Sequence, residues 1–283
     1  MAKRRGGADR LPEQLDAEAL TSFKRWLVGR ELSDNTISSY MTALKQYADE
    51  YAVIRKENAI AWKIRLLEDG KKPKTVNLRL AAYNAYCQMA DMPGEMVKTL
   101  KVHQATAVSN VISREDYQRL CDALRDENPR WYFNVRLLAS TGARVSEYIR
   151  LKKRDLDRGY AEMWTKGKMR RIYIPDSFRE EAAEHYAALA PEDLLVQNRF
   201  GQPISTRGVS EMLKKLGRQY GIPMNVMHPH SFRHLFALSF LERNSNLSLL
   251  ADVMGHSSVS TTAIYTRMTK EQQKDAVNNT VNW

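Results

Sequence analysis

Tyr160-Ala-Glu-Met-Trp-Thr-Lys-Gly-Lys-Met-Arg-Arg-Ile-Tyr-Ile-Pro175 is the stretch on which the reading of the fold turns. Residues 160–165 and 170–175 alternate about Lys166-Gly167-Lys168. A period of two on either side of a glycine turn predicts a β-hairpin. Outward from it the period becomes helical. Upstream, Ser113 and Asp116 form a capping-box pattern before Tyr117, Leu120 and Leu124, a second helix is predicted over 131–140, and a short one follows Gly142. Downstream, Ser177 and Glu180 form another capping-box pattern, and helices are predicted at 207–220, 231–242, 247–254 and 259–268. One hairpin set among helices is a mainly α fold with a small β-sheet.

Towards the N-terminus four more helices are predicted. The first covers 16–28 with Ala19, Phe23 and Trp26 on one face; the second follows the N-cap Ser33 and carries Ile37, Tyr40, Met41, Leu44, Tyr47, Ala48 and Tyr51. The third holds Ile60, Ile64 and Leu67 and stops at Gly70; the fourth starts near Thr75 and carries Val76, Leu80, Tyr83 and Cys87, ending before Pro93. These stripes are read as the core of a small helical bundle. Residues 101–110 lack helical periodicity and read as an interdomain linker, and Lys3, Arg4 and Arg5 before Gly6-Gly7 as a basic arm. A chain of 283 residues fits this two-domain division.

Composition narrows the class. Hydrophobic residues are 43% and charged residues 27%, as in a folded protein. No apolar run approaches the ~20 residues of a bilayer span, so no membrane association is expected. The basic N-terminus is not followed by an apolar run, which argues against a secretory signal. Cys87 and Cys121 are too few for a disulfide framework or a thiolate zinc site and fit a reducing cytosol. Lys and Arg number 44 against 33 Asp and Glu, a net charge of +11 spread over both halves. Such a surplus points to a polyanion, because each cation placed at a phosphate releases a condensed counterion. The plainer reading is a merely basic enzyme.

The nucleotide phosphate loop, the dinucleotide-binding glycine turn, the zinc-protease helix motif and the calcium loop are all absent. His228-Pro229-His230 lacks a third ligand at zinc-like spacing, so no metal is expected. Four segments remain: Thr141-Gly-Ala-Arg-Val-Ser-Glu147, Thr165-Lys-Gly-Lys168, His230-Ser-Phe-Arg-His234 and Gly255-His-Ser-Ser-Val-Ser-Thr-Thr-Ala-Ile-Tyr265. Each alone has a plain structural reading: Arg144 as an ion-pair partner of Glu147, Lys166 as a solvated turn residue, His230 and Arg233 as neighbours on a helix face, Tyr265 as a core aromatic.

In this order and spacing the four segments resemble the tyrosine recombinase (phage integrase) family over residues 111–269. Arg144 stands in the TGxRxSE motif, Lys166 at a hairpin turn 22 residues later, His230 and Arg233 in the HxxR box, His256 another 23 residues on and Tyr265 nine after that. The resemblance implies a simple Xer-like architecture. Residues 1–10 would be a flexible arm, 11–100 a helical core-binding (SAM-like) domain, 101–110 the linker, 111–269 the catalytic domain and 270–283 a tail that is exchanged between protomers, packed in cis or disordered. The two domains would form a C-shaped clamp on DNA.

It also implies the chemistry. Tyr265 would attack a backbone phosphorus, giving a 3′-phosphotyrosine and a free 5′-hydroxyl. A phenol with a pKa near ~10 is mostly protonated at neutral pH and needs help. Arg144 and Arg233 would neutralise the non-bridging oxygens with planar paired donors that lysine does not reproduce. His230 would serve as general base, His256 would donate to a phosphate oxygen and Lys166 would protonate the leaving oxygen. Glu147 would position Arg144, and His234 would be a supporting residue. No cofactor is needed, since arginines replace a metal and the phosphotyrosine conserves the energy of the broken bond.

Candidate DNA contacts are Lys71, Lys72, Lys74 and Arg79 in the first domain, and Arg150, Lys152, Lys153, Arg154, Lys168, Arg170 and Arg171 in the second. Such contacts orient the protein without reading bases. The partners implied are double-stranded DNA with a specific core site and three further protomers, identical or paralogous, in a tetramer that passes through a Holliday junction. The implied setting is cytoplasmic and DNA-associated, in a bacterium, phage or mobile element. Two alternatives stay open at this point: DNA relaxation of the type IB topoisomerase kind, and a catalytically silent DNA-binding regulator on the same scaffold.

Overall fold

The structure, a computed structural model, describes residues 14–102, 110–165, 168–255, 262–266 and 278. The chain divides into two compact units, Met1–Gln104 and Ala105–Trp283. Most of the predicted linker, the N-terminal arm and nearly all of the tail lie outside the described residues.

In the first unit, α1 (Ala17–Gly29) starts where the Asp16 carboxylate accepts the Ala19 N–H at 2.8 Å, and α2 (Asp34–Ala48) starts at Ser33, whose hydroxyl accepts from the Thr36 N–H. These side chains satisfy N–H groups that the first turn leaves unpaired. α4 (Pro73–Met89) begins two residues before the expected start, because Pro73 takes the first helical position, where no N–H is needed. α3 (Lys56–Glu68) corrects an expectation. Its buried face is Ala59, Trp62 and Leu66, whereas Ile60, Ile64 and Leu67 are exposed. Trp62 decides the face: its ring packs edge-on against Tyr47, with centroids 5.2 Å apart, and burying that larger surface turns the aliphatic stripe outward. Phe23, Leu27, Leu44, Val76, Leu80, Tyr83 and Tyr86 complete the core.

The second unit opens with α5 (Arg114–Glu127), capped by the Ser113 hydroxyl on the Asp116 N–H at 3.0 Å, and α6 (Pro129–Thr141). α7 (Val145–Tyr148) and α8 (Lys153–Arg158) follow. α8 was not expected, since Lys-Arg-Asp-Leu-Asp-Arg offers one apolar residue and no stripe. Asp155 caps it by returning to the Lys152 N–H at 2.9 Å.

The hairpin pairs β1 (Tyr160–Thr165) with β2 (Lys168–Tyr173), antiparallel, Tyr160 opposite Tyr173 and Thr165 opposite Lys168. β2 therefore lies two residues nearer the turn than expected, and it ends before Pro175, which has no N–H for a ladder. α9 (Asp176–Ala182) begins directly after Pro175, so Ser177 lies inside its first turn and the expected capping box there does not form. α10 (Thr206–Gln219), α11 (Pro229–Arg243) and α12 (Leu247–Met254) complete the helices, with a 3₁₀ turn at Ala263–Thr266. That turn is the described part of the helix expected over 259–268.

α6 and α11 pack against each other at the centre. Around them Leu120, Leu124, Val135, Leu138, Tyr148, Leu151, Phe178, Leu213, Met227 and Phe232 form one core. Each such large side chain contributes about 1.5–3 kcal/mol by leaving water. Among the described residues no helix is long and apolar enough to cross a membrane.

Candidate active site

The site grows from two glycine-ended helices. α6 stops at Gly142, whose φ is +58°, and a Cβ there would stand 2.4 Å from a ring carbon of Phe236 on α11. Only glycine allows both the left-handed turn and that close approach. Two residues on, Arg144 caps α7. Its N–H donates to Glu147 Oε2 at 2.8 Å and its Nη1 to Glu147 Oε1 at 2.9 Å. α12 ends in the same way at Gly255, with φ +61°.

Three guanidiniums meet at that second end. Arg170 Nη2 donates to the Val253 carbonyl at 2.9 Å, Arg233 Nη2 to that of Met254 at 2.6 Å and Arg144 Nη2 to that of Gly255 at 2.5 Å. These carbonyls belong to the negative end of the helix dipole, where cations are favoured. Arg233 is 4% exposed and also donates to the Gly142 carbonyl, so it joins both glycine ends. Glu147, 5% exposed, is shared between Arg144 and Arg170.

The electrostatics follow from this crowding. Burial opposes the charge of Glu147, but the Arg144 N–H and the guanidiniums of Arg170 and Arg144 outweigh it and hold its pKa below that of an ordinary glutamate. Arg233 is brought down to about 10, first by burial and then by Arg170 and Arg144, and remains charged at neutral pH. One carboxylate among three arginines leaves a cationic surplus suited to a phosphodiester.

α11 carries the histidines. His230 is exposed at its first turn, and partial desolvation together with Arg233 lowers its pKa. His234 is brought down to about 4 by burial, then by His230, His228 and Arg233, and is neutral at physiological pH. Its Nδ1 lies 2.6 Å from the Tyr265 hydroxyl. The Tyr265 ring packs beside Phe236, Phe240 and Leu241 over Ala237, Leu250 and Met254. Burial raises its pKa and Arg233 opposes the rise.

The structure thus brings together Arg144, Glu147, His230, Arg233, His234 and Tyr265. Lys166 and His256 lie outside the described residues, as does the side chain of Lys168. Arg170 is a correction: expected as a DNA contact, it is 7% exposed and committed to Glu147 and Val253. The strand alternation carried the signal, since Arg170 shares its face with Ile172 and Ile174, both buried. His234 was expected only as a supporting residue, and its contact with the Tyr265 hydroxyl arises between residues 31 apart.

Of the other candidate DNA contacts, Lys71, Lys72, Lys74 and Arg150 are exposed. Arg79 is half-buried and donates to Gln46 at 2.9 Å. Lys152 and Arg154 share Glu192, Lys153 pairs with Asp157, and Arg171 pairs with Glu162 over the Tyr160 ring. Surface ion pairs of this kind contribute little to stability. Among the described residues no three His, Cys, Asp or Glu side chains cluster as metal ligands would.

Comparison with known proteins agrees with this geometry. The chain is 28% identical over 267 residues to tyrosine recombinase XerA of Thermococcus kodakarensis, covering 92% of this chain and 94% of the relative. It is 30% identical over 275 residues to tyrosine recombinase XerD of Halalkalibacterium halodurans, covering 88% and 92%. Its fold is similar to that of a lambda integrase dimer bound to a COC′ core site, with a TM-score of 0.72 at 17% identity over 88% of this chain and 76% of that one. Residues 110–272 match the phage integrase family, a span that contains both glycine-ended helices and the tyrosine beside them. The chain therefore belongs to the phage integrase family and is a tyrosine recombinase, of the class that carries out site-specific DNA recombination.

Proposed function

We propose that this protein cuts and rejoins double-stranded DNA at a specific core site. Tyr265 Oη attacks the scissile phosphorus, a Tyr265–O–P bond forms, and the bond from phosphorus to the 5′-oxygen breaks. The phenolic proton passes to His230, and Lys166 supplies a proton to the departing 5′-oxygen, leaving a 3′-phosphotyrosine. Arg144 and Arg233 hold the non-bridging oxygens as charge grows on them, an effect of ~2.7–4 kcal/mol per preorganised donor. His256 donates to the same phosphate. A 5′-hydroxyl of a second duplex then reverses the attack, which makes exchange between two sites through a Holliday junction isoenergetic in bonds. A tetramer on two sites, with the tail at 270–283 passed to a neighbour, fits that sequence of events. The cytoplasmic, DNA-associated setting follows from the same reading.

The observation that carries the proposal is the shared cluster of Arg144, Arg233 and Glu147 on one side of α11 and the Tyr265 hydroxyl on a histidine of that helix. The test has two stages. Genomic fragments trapped covalently by the protein identify a core site, and a duplex nicked beside that site then accumulates the adduct. The expected adduct maps to Tyr265 and vanishes in Tyr265→Phe. An adduct on another residue, or one that survives Tyr265→Phe, overturns the assignment.

A further inference from the structure

We propose that Arg170 is a positioning residue for strand cleavage: its planar fork spans Glu147 and the Val253 carbonyl, and so sets the carboxylate that aims Arg144 against the end of α12. The inference rests on the reading of Arg144 as a phosphate ligand.

Arg170 belongs to β2, Glu147 to α7 and Val253 to α12, three elements far apart in the chain. One guanidinium nitrogen donates to Glu147 Oε2 and the other to Val253 O at 2.9 Å. Glu147 Oε2 is also the acceptor of the Arg144 N–H, and Oε1 holds Arg144 Nη1. Rotation of the Glu147 carboxylate would therefore move the Arg144 fork, and Arg170 is the second cation that prevents it. At its other end Arg170 is wedged by Gly255, where a Cβ would come within 2.2 Å of Arg170 Cδ.

Stability alone does not account for this choice of residue. Buried ion pairs add little over apolar packing. Arg170 Nε is moreover buried with no partner. A residue that carries an unpaired buried N–H is held for where its other two nitrogens reach. Lysine, a point donor, cannot serve two acceptors at fixed geometry in the same way.

The test measures single-turnover Tyr265 adduct formation at saturating DNA for the parent, Arg170→Lys, Arg144→Lys and the double variant, with DNA affinity and thermal midpoint measured on each. Arg170→Lys is expected to slow cleavage by about 10- to 100-fold while DNA affinity changes less than about twofold, and the double variant is expected to be no slower than Arg144→Lys, since residues acting as a unit are not additive. Parental cleavage by Arg170→Lys, or losses that multiply, overturns the proposal. A 5′-bridging sulfur substrate supplies a leaving group that needs no proton. A deficit that persists on it supports action through Arg144; rescue by sulfur would assign the effect to the hairpin lysine and overturn the proposal.

Glu147→Gln is the second variant, expected to show the same deficit and none further in combination with Arg170→Lys. A carbon-13 titration of the Glu147 carboxyl needs no DNA. Its pKa is expected to rise in Arg170→Met, and no change overturns the proposal. A parent protein that forms no Tyr265 adduct would be a failure of the recombinase reading, which the titration separates from failure of this one.

Discussion

His234 Nδ1 and Tyr265 Oη are 2.6 Å apart, a contact that joins α11 to the 3₁₀ turn at Ala263–Thr266. With the histidine at about 4 and the phenol above its ordinary value, proton transfer between them is strongly uphill. The pair holds the hydroxyl in place rather than ionising it. His234→Phe keeps a ring and removes the nitrogen that bonds the hydroxyl. It is expected to lower the rate of adduct formation about 10-fold with DNA affinity unchanged, because a misaimed nucleophile loses the advantage of proximity. A stopped-time cleavage assay against a band-shift titration checks it.

The same histidine sets a pH dependence. Its pKa in the folded protein is about 4, below the ordinary value of 6.5 that it regains on unfolding. Between these values the unfolded chain binds the proton and the folded one does not, so the contribution of His234 to stability falls as pH drops from about 6.5 towards 4 and changes no further below. Urea unfolding at several pH values should show this slope, and His234→Phe should reduce it, leaving the smaller contributions of His185, His228 and His230.

Arg233 donates to the Gly142 and Met254 carbonyls from a buried position. Arg233→Lys keeps a charge but cannot fork between the two. Adduct formation should fall about 100- to 1000-fold, as for other lost preorganised donors. Rate constants on the nicked substrate measure this.

Gly255 ends α12 at φ +61° with no room for a side chain beside Arg170. Gly255→Ala combines left-handed strain of about 1–2 kcal/mol with a steric push on Arg170. The midpoint of urea unfolding should fall, and cleavage should fall further than stability alone explains.

Lys71, Lys72 and Lys74 are exposed around the start of α4. If they meet phosphates, Lys72→Ala reduces the slope of log affinity against log salt by about one, with little sequence dependence. Arg79, already bonded to Gln46, should change the slope less.

Much of the fold is legible from local rules. Ser33 and Ser113 announce their helices because a capping side chain acts within three residues of its own position. The hairpin is legible from alternation about Lys166-Gly167. α3 was misread because two apolar faces compete on it, and the choice between them belongs to Tyr47 on another helix. α8 was missed because its stabilising contact is a cap without an apolar stripe.

The sequence by itself determined the class of chain, most of its helices and its hairpin, and which residue types are candidates to act on a phosphodiester. Those depend on residue type, charge and short-range periodicity. Only the tertiary structure decided that Arg170 faces inward to Glu147, that three arginines gather on the last carbonyls of α12, and that His234 receives the Tyr265 hydroxyl. These are contacts between residues brought together by packing. A guanidinium on a strand reads alike as a solvent cation or a buried clamp until the opposing carboxylate and carbonyl are in place.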